Sequence, residues 1–125
     1  MVWLAIGIGG ALGSMARHGV NHLVHDRWPL MRFPLATLAV NVVGCLVIGV
    51  LAGLIVSERI TLRFYWREFL FVGVLGGFTT FSTFGLDTMT LAKTHSMTAA
   101  AWNVIGQVGL GLIAVQIGIL VGARG

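Results

Sequence analysis

Four long apolar stretches, separated by short polar segments, dominate the hydrophobicity pattern of this 125-residue chain. They predict four transmembrane helices, because a helix needs about 20 apolar residues to cross a bilayer. The predicted spans are residues 2–23, 35–56, 68–92 and 99–123. Residues 25–34 form a connector in which Pro29 and Pro34 prevent a continuous helix. Residues 57–67 are predicted to form a polar loop or a short interfacial helix, and residues 93–98 a turn.

The composition supports a membrane protein built as one domain over residues 1–125. Hydrophobic residues make up 57% of the chain and charged residues only 10%, with a mean hydropathy of +0.93. A soluble domain is about one quarter charged, so an ordinary water-facing surface is excluded. The single cysteine, Cys45, excludes a disulfide scaffold. The net charge of +4 includes no basic run, so no nucleic-acid partner is expected.

The basic residues are balanced between the two sides of the predicted bundle. An even number of spans places both termini on one side, with four arginines there and three arginines and a lysine opposite. These are Arg59, Arg63, Arg67 and Arg124 on one side, and Arg17, Arg27, Arg32 and Lys93 on the other. Orientation follows the difference in positive charge, which is zero here. We therefore expect insertion in both directions and an antiparallel dimer. The alternative is that one unequal loop sets a single orientation.

The third stretch contains a weak helix segment in the middle of the membrane. Gly76 and Gly77 are followed by Thr79 and Thr80, and a break there frees backbone carbonyl groups. Within a bilayer such groups need protein, water or an ion as a partner. Hard cations favour carbonyl oxygen, and two carbonyls from each chain of a dimer would offer four ligands to Na⁺. The alternative is a mild kink in which the threonine hydroxyls satisfy the backbone.

Aromatic and hydroxyl side chains alternate just after the two glycines. Phe78, Phe81 and Phe84 are three residues apart and predict one stripe, with Thr79 and Ser82, and Thr80 and Thr83, beside it. Ring edges carry partial positive charge, and hydroxyl hydrogens donate to anions. Together these groups could replace part of the water shell of a small anion in a pore. The alternative is ordinary packing of the rings.

Three further polar residues lie within the first two spans. Thr37 and Asn41 are one helical turn apart on the same face. A polar side chain in an apolar helix needs a partner, so Asn41 is either a pore-lining donor or part of an interhelical hydrogen bond. Arg17 either extends toward the interface or gives a pore vestibule a positive potential.

Three segments of the chain resemble the Fluc, or CrcB, family of fluoride channels. They are Gly9 to Arg17, Thr37 to Gly44, and the GGFTTFSTF sequence from Gly76 to Phe84. The similarity covers essentially the whole chain, and the last segment is the most specific. It implies passive, selective export of fluoride across the bacterial inner membrane, which protects the cell from fluoride and requires no enzymatic activity. It also implies an all-helical membrane protein of four spans, with a broken third helix, that forms an antiparallel dual-topology homodimer with two pores.

The resemblance also assigns roles to individual residues. The backbone carbonyls of Gly76 and Thr79 are expected to hold a structural Na⁺ at the dimer axis. The ring edges of Phe81 and Phe84 are expected to face fluoride, with Ser82 and Thr83 as a polar track and Asn41 as the pore amide. A pore-lining hydroxyl is also expected from the fourth span. No Ser or Thr follows Thr98, and the deep donors recognised in that span are Gln107 and Gln116.

Three other functions compete with the fluoride channel. A small multidrug antiporter needs an acid within the membrane, and Asp87 in the third span is the only candidate. A metal-handling protein could use His18, His22 and His25 beside Asp26, which lie on one helical face at a plausible ligand spacing. A purely structural subunit would leave the hydroxyl and phenylalanine stripes without a purpose.

Overall fold

The computed structural model describes residues 1–124 and is 85% helical. No β-strand occurs within that range. The helices are α1 (Val2–Arg27), α2 (Leu35–Val56), α3 (residues 64–78), α4 (Phe81–Thr94) and α5 (Met97–Arg124). α3 joins three consecutive helical stretches, of which the middle one is a π-helix. The all-helical class expected from the sequence is confirmed.

Three helical stretches are long and apolar enough to cross a membrane: Leu35–Val56, Phe64–Thr94 and Met97–Arg124. α1 spans 26 residues but is not among them, because its glycines, its histidines and Arg17 lower its hydropathy. Large apolar side chains are exposed along every helix, whereas few are buried. The outer surface of the chain is therefore suited to lipid or to another apolar protein surface.

Glycines bring the backbones of α2 and α5 into contact. A Cβ atom built on Gly49 would collide with the carbonyl oxygen of Val115, and Gly53, Gly118 and Gly122 meet the opposite backbone just as closely. Close backbone approach is a main source of helix attraction in lipid, where no hydrophobic force acts between helices. The four-residue spacing of these glycines is thus explained by helix packing.

A second glycine contact joins α1 to α3. A Cβ atom on Gly9 would lie 3.0 Å from the Cα of Gly73, and one on Gly77 would lie 2.6 Å from the carbonyl oxygen of Gly10. Gly13, one turn after Gly9, is buried against the last turns of α3. No side chain fits between these backbones, so the contact fixes the height of α1 against α3.

The third apolar stretch is interrupted between α3 and α4. Thr79 has φ −81° and ψ 160°, and Thr80 has φ −151° and ψ 115°, so both are extended. This is the break expected from the glycine and threonine pairs, and a mild kink is excluded. The preceding π-helix, Glu68–Leu75, was not predicted. Such segments are rare and occur frequently at functional sites.

Most helix boundaries differ from the sequence expectation by a few residues. Leu35–Val56 is confirmed at both ends. α1 continues to Arg27 and stops just before Pro29, which disfavours a helical residue ahead of it. α3 begins at Phe64, within the segment expected to be a loop or a short interfacial helix. The last helix begins at Met97 and includes Arg124.

Candidate functional site at the helix break

The break is bounded by hydrogen bonds that end one helix and begin the next. The N–H and the hydroxyl of Thr79 both donate to the Leu75 carbonyl, at 3.0 and 2.9 Å. The Thr80 hydroxyl oxygen accepts from the Thr83 N–H at 3.2 Å and so caps the N-terminus of α4. Glycine and threonine are weak helix formers, and threonine is a favoured N-cap. The local sequence therefore stabilises two helix ends here.

Asn41 of α2 binds the backbone of the break from the side. The Thr80 N–H donates to Asn41 Oδ1 at 2.8 Å, and Asn41 Nδ2 donates to the Thr80 carbonyl at 3.0 Å. Nδ2 also donates to Gln107 Oε1 at 3.0 Å. Both amide hydrogens are thus used within the chain. The interhelical hydrogen bond considered for Asn41 is present, and its amide has no hydrogen left for an anion in this conformation.

These bonds divert two N–H groups away from their helical carbonyls. In a continuous helix the Thr80 N–H would bond the Gly76 carbonyl, and the Thr83 N–H would bond the Thr79 carbonyl. In this structure the Thr80 N–H donates to Asn41 instead, and the Thr83 N–H donates to the Thr80 hydroxyl. The two carbonyls assigned to Na⁺ by resemblance are therefore among those that lose their helical partners. Neutral carbonyl oxygens without helical donors are suitable ligands for a hard cation.

Arg17 of α1 reaches the same break. Its Nη1 donates to the Thr79 carbonyl oxygen at 3.3 Å. The glycine contact between α1 and α3 explains this position, since Arg17 lies one turn after Gly13, which packs against the end of α3. The side chain is half-buried. In this conformation it therefore does not extend to the interface, and its charge lies at the break.

A row of buried amides runs from the break to α4. Gln107 Nε2 donates to Asn103 Oδ1 at 3.5 Å, and Asn103 Nδ2 donates to the Thr88 hydroxyl at 2.9 Å. Asn103 has no exposed surface and Gln107 is 7% exposed, whereas Gln116 is exposed. The sequence interpretation omitted Asn103. Its four-residue spacing from Gln107, which places both amides on one face of α5, is a signal that would have found it.

Thr37 and Asp87 form a separate polar pair. The Thr37 hydroxyl donates to Asp87 Oδ2 at 2.7 Å, and Thr37 is buried. Asp87 lines a cavity of about 410 Å³ together with Arg32 and His95. Because the single hydroxyl hydrogen of Thr37 is used by the carboxylate, it is not available to an anion here. Thr37 and Asn41 share a helix face as expected, but they bind different partners.

The phenylalanine stripe is only partly as expected. The rings of Phe81 and Phe84 lie 5.4 Å apart at 57°, but the break separates them from Phe78 in α3. The same break removes Thr79 from a common stripe with Ser82. Phe81 is 82% exposed and borders a cavity of about 310 Å³, which Asn41 and Thr80 also line.

The hydroxyl groups of α4 surround its N-cap. The Thr80 hydroxyl donates to Thr83 Oγ1 at 3.0 Å and lies 3.4 Å from Ser82 Oγ. Ser82 is exposed and Thr83 is half-buried. Since the Thr80 hydrogen is used in the bond to Thr83, the hydroxyl of Thr83 keeps its own hydrogen for another acceptor. Arg17, Asn41, Gly76, Thr79 and Phe81 therefore meet around the break, whereas Thr37 lies beside Asp87.

The histidines of α1 do not assemble a metal centre. His22 Nδ1 lies 2.8 Å from Asp26 Oδ2, and both side chains are mostly exposed. His18 stacks edge-on against His22, with the ring centroids 6.5 Å apart. Within residues 1–124, no three His, Cys, Asp or Glu side chains are placed to hold a metal ion.

Comparison with known proteins connects this arrangement to a family. Residues 4–119 match the family described as CrcB-like protein, Camphor Resistance (CrcB). The chain belongs to the CrcB-like family. The description of the family names neither a multidrug antiporter nor a metal-handling protein.

Relatives of the CrcB-like chain match it over nearly their full length. A protein of Paracoccus denitrificans is 48% identical over 120 residues, covering 96% of this chain and 93% of the relative. One from Nitrobacter winogradskyi is 47% identical over 116 residues, covering 93% and 90%. One from Solibacter usitatus is 41% identical over 124 residues, covering 99% and 100%. Each of these three relatives is named fluoride-specific ion channel FluC.

Proposed function

We propose that this protein is a passive, fluoride-selective channel of the bacterial inner membrane. Membership of the CrcB-like family, with relatives named as fluoride channels, is the observation that carries this conclusion. The function is transport rather than catalysis. A helix break with polar groups at membrane depth supports it, because non-helical backbone is tolerated there only where protein buries it or water reaches it.

We infer that all four long helical segments, α1 included, cross the bilayer and that two copies assemble in opposite orientations. The equal number of basic residues on the two sides supports dual topology. The exposed ring of Phe81 beside an open cavity also supports a second copy, since one chain alone does not enclose this part of the path. Two opposed copies would enclose two equivalent pores.

A structural Na⁺ on the dimer axis fits the donor set at the break. Gly76 and Thr79 would hold it through their backbone carbonyls, which have lost their helical N–H partners. When bound, the ion would supply the positive charge that satisfies these carbonyls in a medium without water. Asn41 and the Thr80 hydroxyl, which take up the Thr80 and Thr83 N–H groups, would leave these carbonyls available to the ion.

The proposed fluoride path runs along α4 beside the break. Phe81 and Phe84 would present their ring edges, and Ser82 and Thr83 would donate their hydroxyl hydrogens. Asn41 and Thr37 border this path from α2, and each would donate to fluoride only after releasing the partner it has here. Weak, multiple contacts of this kind permit an anion to shed its water and still leave.

Physical chemistry gives the channel its direction. Hydrogen fluoride is neutral, crosses membranes in acidic surroundings and ionises in a less acidic cytoplasm. A membrane potential that is negative inside then drives fluoride outward by about 2.3 kcal/mol per charge per 100 mV. Passive conduction is therefore sufficient for export and for protection against fluoride.

The test is a flux assay on the purified protein in liposomes. Vesicles loaded with potassium fluoride and treated with valinomycin should release fluoride to an ion-selective electrode, whereas vesicles loaded with potassium chloride should release almost no chloride. Protein-free vesicles provide the control for leakage. Equal release of both anions would contradict a selective pore, and no release above the control would contradict a channel.

A further inference from the structure

Arg17 makes an unusual contact for an arginine within a membrane bundle. Its guanidinium donates to a neutral backbone oxygen, that of Thr79, at 3.3 Å. No carboxylate among residues 1–124 lies within ion-pair distance of it. The positive charge of Arg17 is thus directed at a carbonyl rather than neutralised by an acid.

The fold fixes the backbone position of Arg17. Close contact between the backbones of α1 and α3, through Gly13 and Gly77, leaves no freedom to slide the helix that carries Arg17. The side chain itself has many rotamers and is half-buried rather than enclosed. The hydrogen bond to the Thr79 carbonyl oxygen is the contact that holds the guanidinium at the break. Arg17 can therefore leave the Thr79 carbonyl without any movement of the backbone.

We propose that Arg17 and the structural cation exclude one another at the Thr79 carbonyl oxygen. This inference rests on the cation site of the proposed function. Arg17 supplies to this oxygen the donor that the Thr83 N–H no longer provides. When a monovalent cation binds Gly76 and Thr79, two positive charges would lie within a few ångströms of each other in a medium of low dielectric constant. The guanidinium then withdraws.

The exclusion gives Arg17 two separate roles. Without the cation it stabilises the break from α1, as Asn41 does from α2. With the cation bound, its charge moves away from the Thr79 carbonyl oxygen. The cation therefore has to replace a charge-assisted hydrogen bond, which weakens its apparent affinity.

The test measures thermal stability of the purified protein as Na⁺ replaces N-methyl-D-glucamine at constant ionic strength. In the wild type, Na⁺ should raise the unfolding midpoint. Arg17→Gln should unfold earlier than the wild type without Na⁺ and reach half of its stabilisation at an about tenfold lower Na⁺ concentration. Arg17→Lys keeps the charge but has a shorter side chain with a single donor nitrogen. Its half-stabilising Na⁺ concentration should lie between those of the wild type and Arg17→Gln. Arg27→Gln, at the exposed end of the same helix, is the control and should have the unfolding midpoint and the half-stabilising Na⁺ concentration of the wild type.

The outcomes separate the two proposals. An equal half-saturating Na⁺ concentration in the wild type, Arg17→Gln and Arg17→Lys would overturn the exclusion. If Arg17→Gln does not fold, the comparison of Arg17→Lys with the wild type decides. If Na⁺ stabilises none of the proteins, the cation site fails and the exclusion fails with it. Fluoride release from liposomes, measured on the same preparations, tests the channel function independently.

Discussion

Asn41 bonds both backbone polar groups of Thr80, accepting from its N–H at 2.8 Å and donating to its carbonyl at 3.0 Å. The side-chain amide of Asn41 thus makes two hydrogen bonds to the backbone of Thr80, one as acceptor and one as donor, as two paired residues do in an antiparallel β-sheet. The pairing satisfies one of the two residues that neither α3 nor α4 includes. It makes the break a defined structure, because backbone groups of an unsupported break at membrane depth would lack partners.

The first prediction concerns this pair. Asn41→Leu removes the partner of the Thr80 N–H and of its carbonyl, and each buried unsatisfied group costs about 1–3 kcal/mol. We expect destabilisation by about 2–4 kcal/mol, measured by reversible unfolding in mixed micelles. Asn21→Leu, on the exposed face of α1, is the control and should change stability by less than about 0.5 kcal/mol. Equal stability of the two variants would show that Asn41 does not hold the break.

The second prediction concerns the rings beside the proposed path. Replacing Phe81 or Phe84 by Ile keeps an apolar side chain but removes the polarised ring edge. A ring contact contributes about 0.5–1.5 kcal/mol, so each variant should lower fluoride flux by about threefold to tenfold. Phe64→Ile, at the exposed start of α3, should leave the flux unchanged. Full flux in both ring variants would count against coordination by ring edges.

The break itself could be predicted from the sequence, whereas its hydrogen bonds could not. Adjacent glycines followed by adjacent threonines weaken a helix regardless of what surrounds them. The partner of Asn41 depends instead on how α2 is rotated against the break in the packed bundle. The stripe expected from Phe78 to Phe84 is only partly present, because the three-residue spacing was continued across Thr79 and Thr80, whose backbone is extended.

For the buried polar residues too, the sequence indicates candidates but not their hydrogen-bond partners. Asn103 and Gln107 share a face of α5, and that spacing alone marks them as candidates for a common network. Their connection to Thr88 and Asn41 requires the packing of three helices. Likewise, the sequence indicates that Arg17 is costly within a membrane, but only the position of α1 against α3 brings it to Thr79.

The third prediction concerns the end of α2. Glu58 has φ 57°, and the N–H groups of Glu58 and Arg59 bond the carbonyls of Ile55 and Leu54, which is a Schellman motif. Glycine is the residue best suited to this left-handed position, since a side chain there costs about 1–2 kcal/mol. Glu58→Gly should therefore stabilise the protein by about 0.5–1 kcal/mol in equilibrium unfolding. Glu68→Gly, inside α3, is the control and should destabilise it. A loss of stability in Glu58→Gly would mean that its side chain makes a contact worth more than the strain.

The last prediction compares two glycines of α5 that differ only in their surroundings. A methyl group on Gly118 would collide with the backbone of α2, whereas one on Gly106 would meet nothing within 4 Å. Gly118→Ala should separate the helices and destabilise the protein by about 1–3 kcal/mol. Gly106→Ala should stabilise it by up to about 1 kcal/mol, because alanine is the better helix former. Unfolding of both variants in the same detergent tests this, and effects of the same sign would contradict the close backbone packing of α2 and α5.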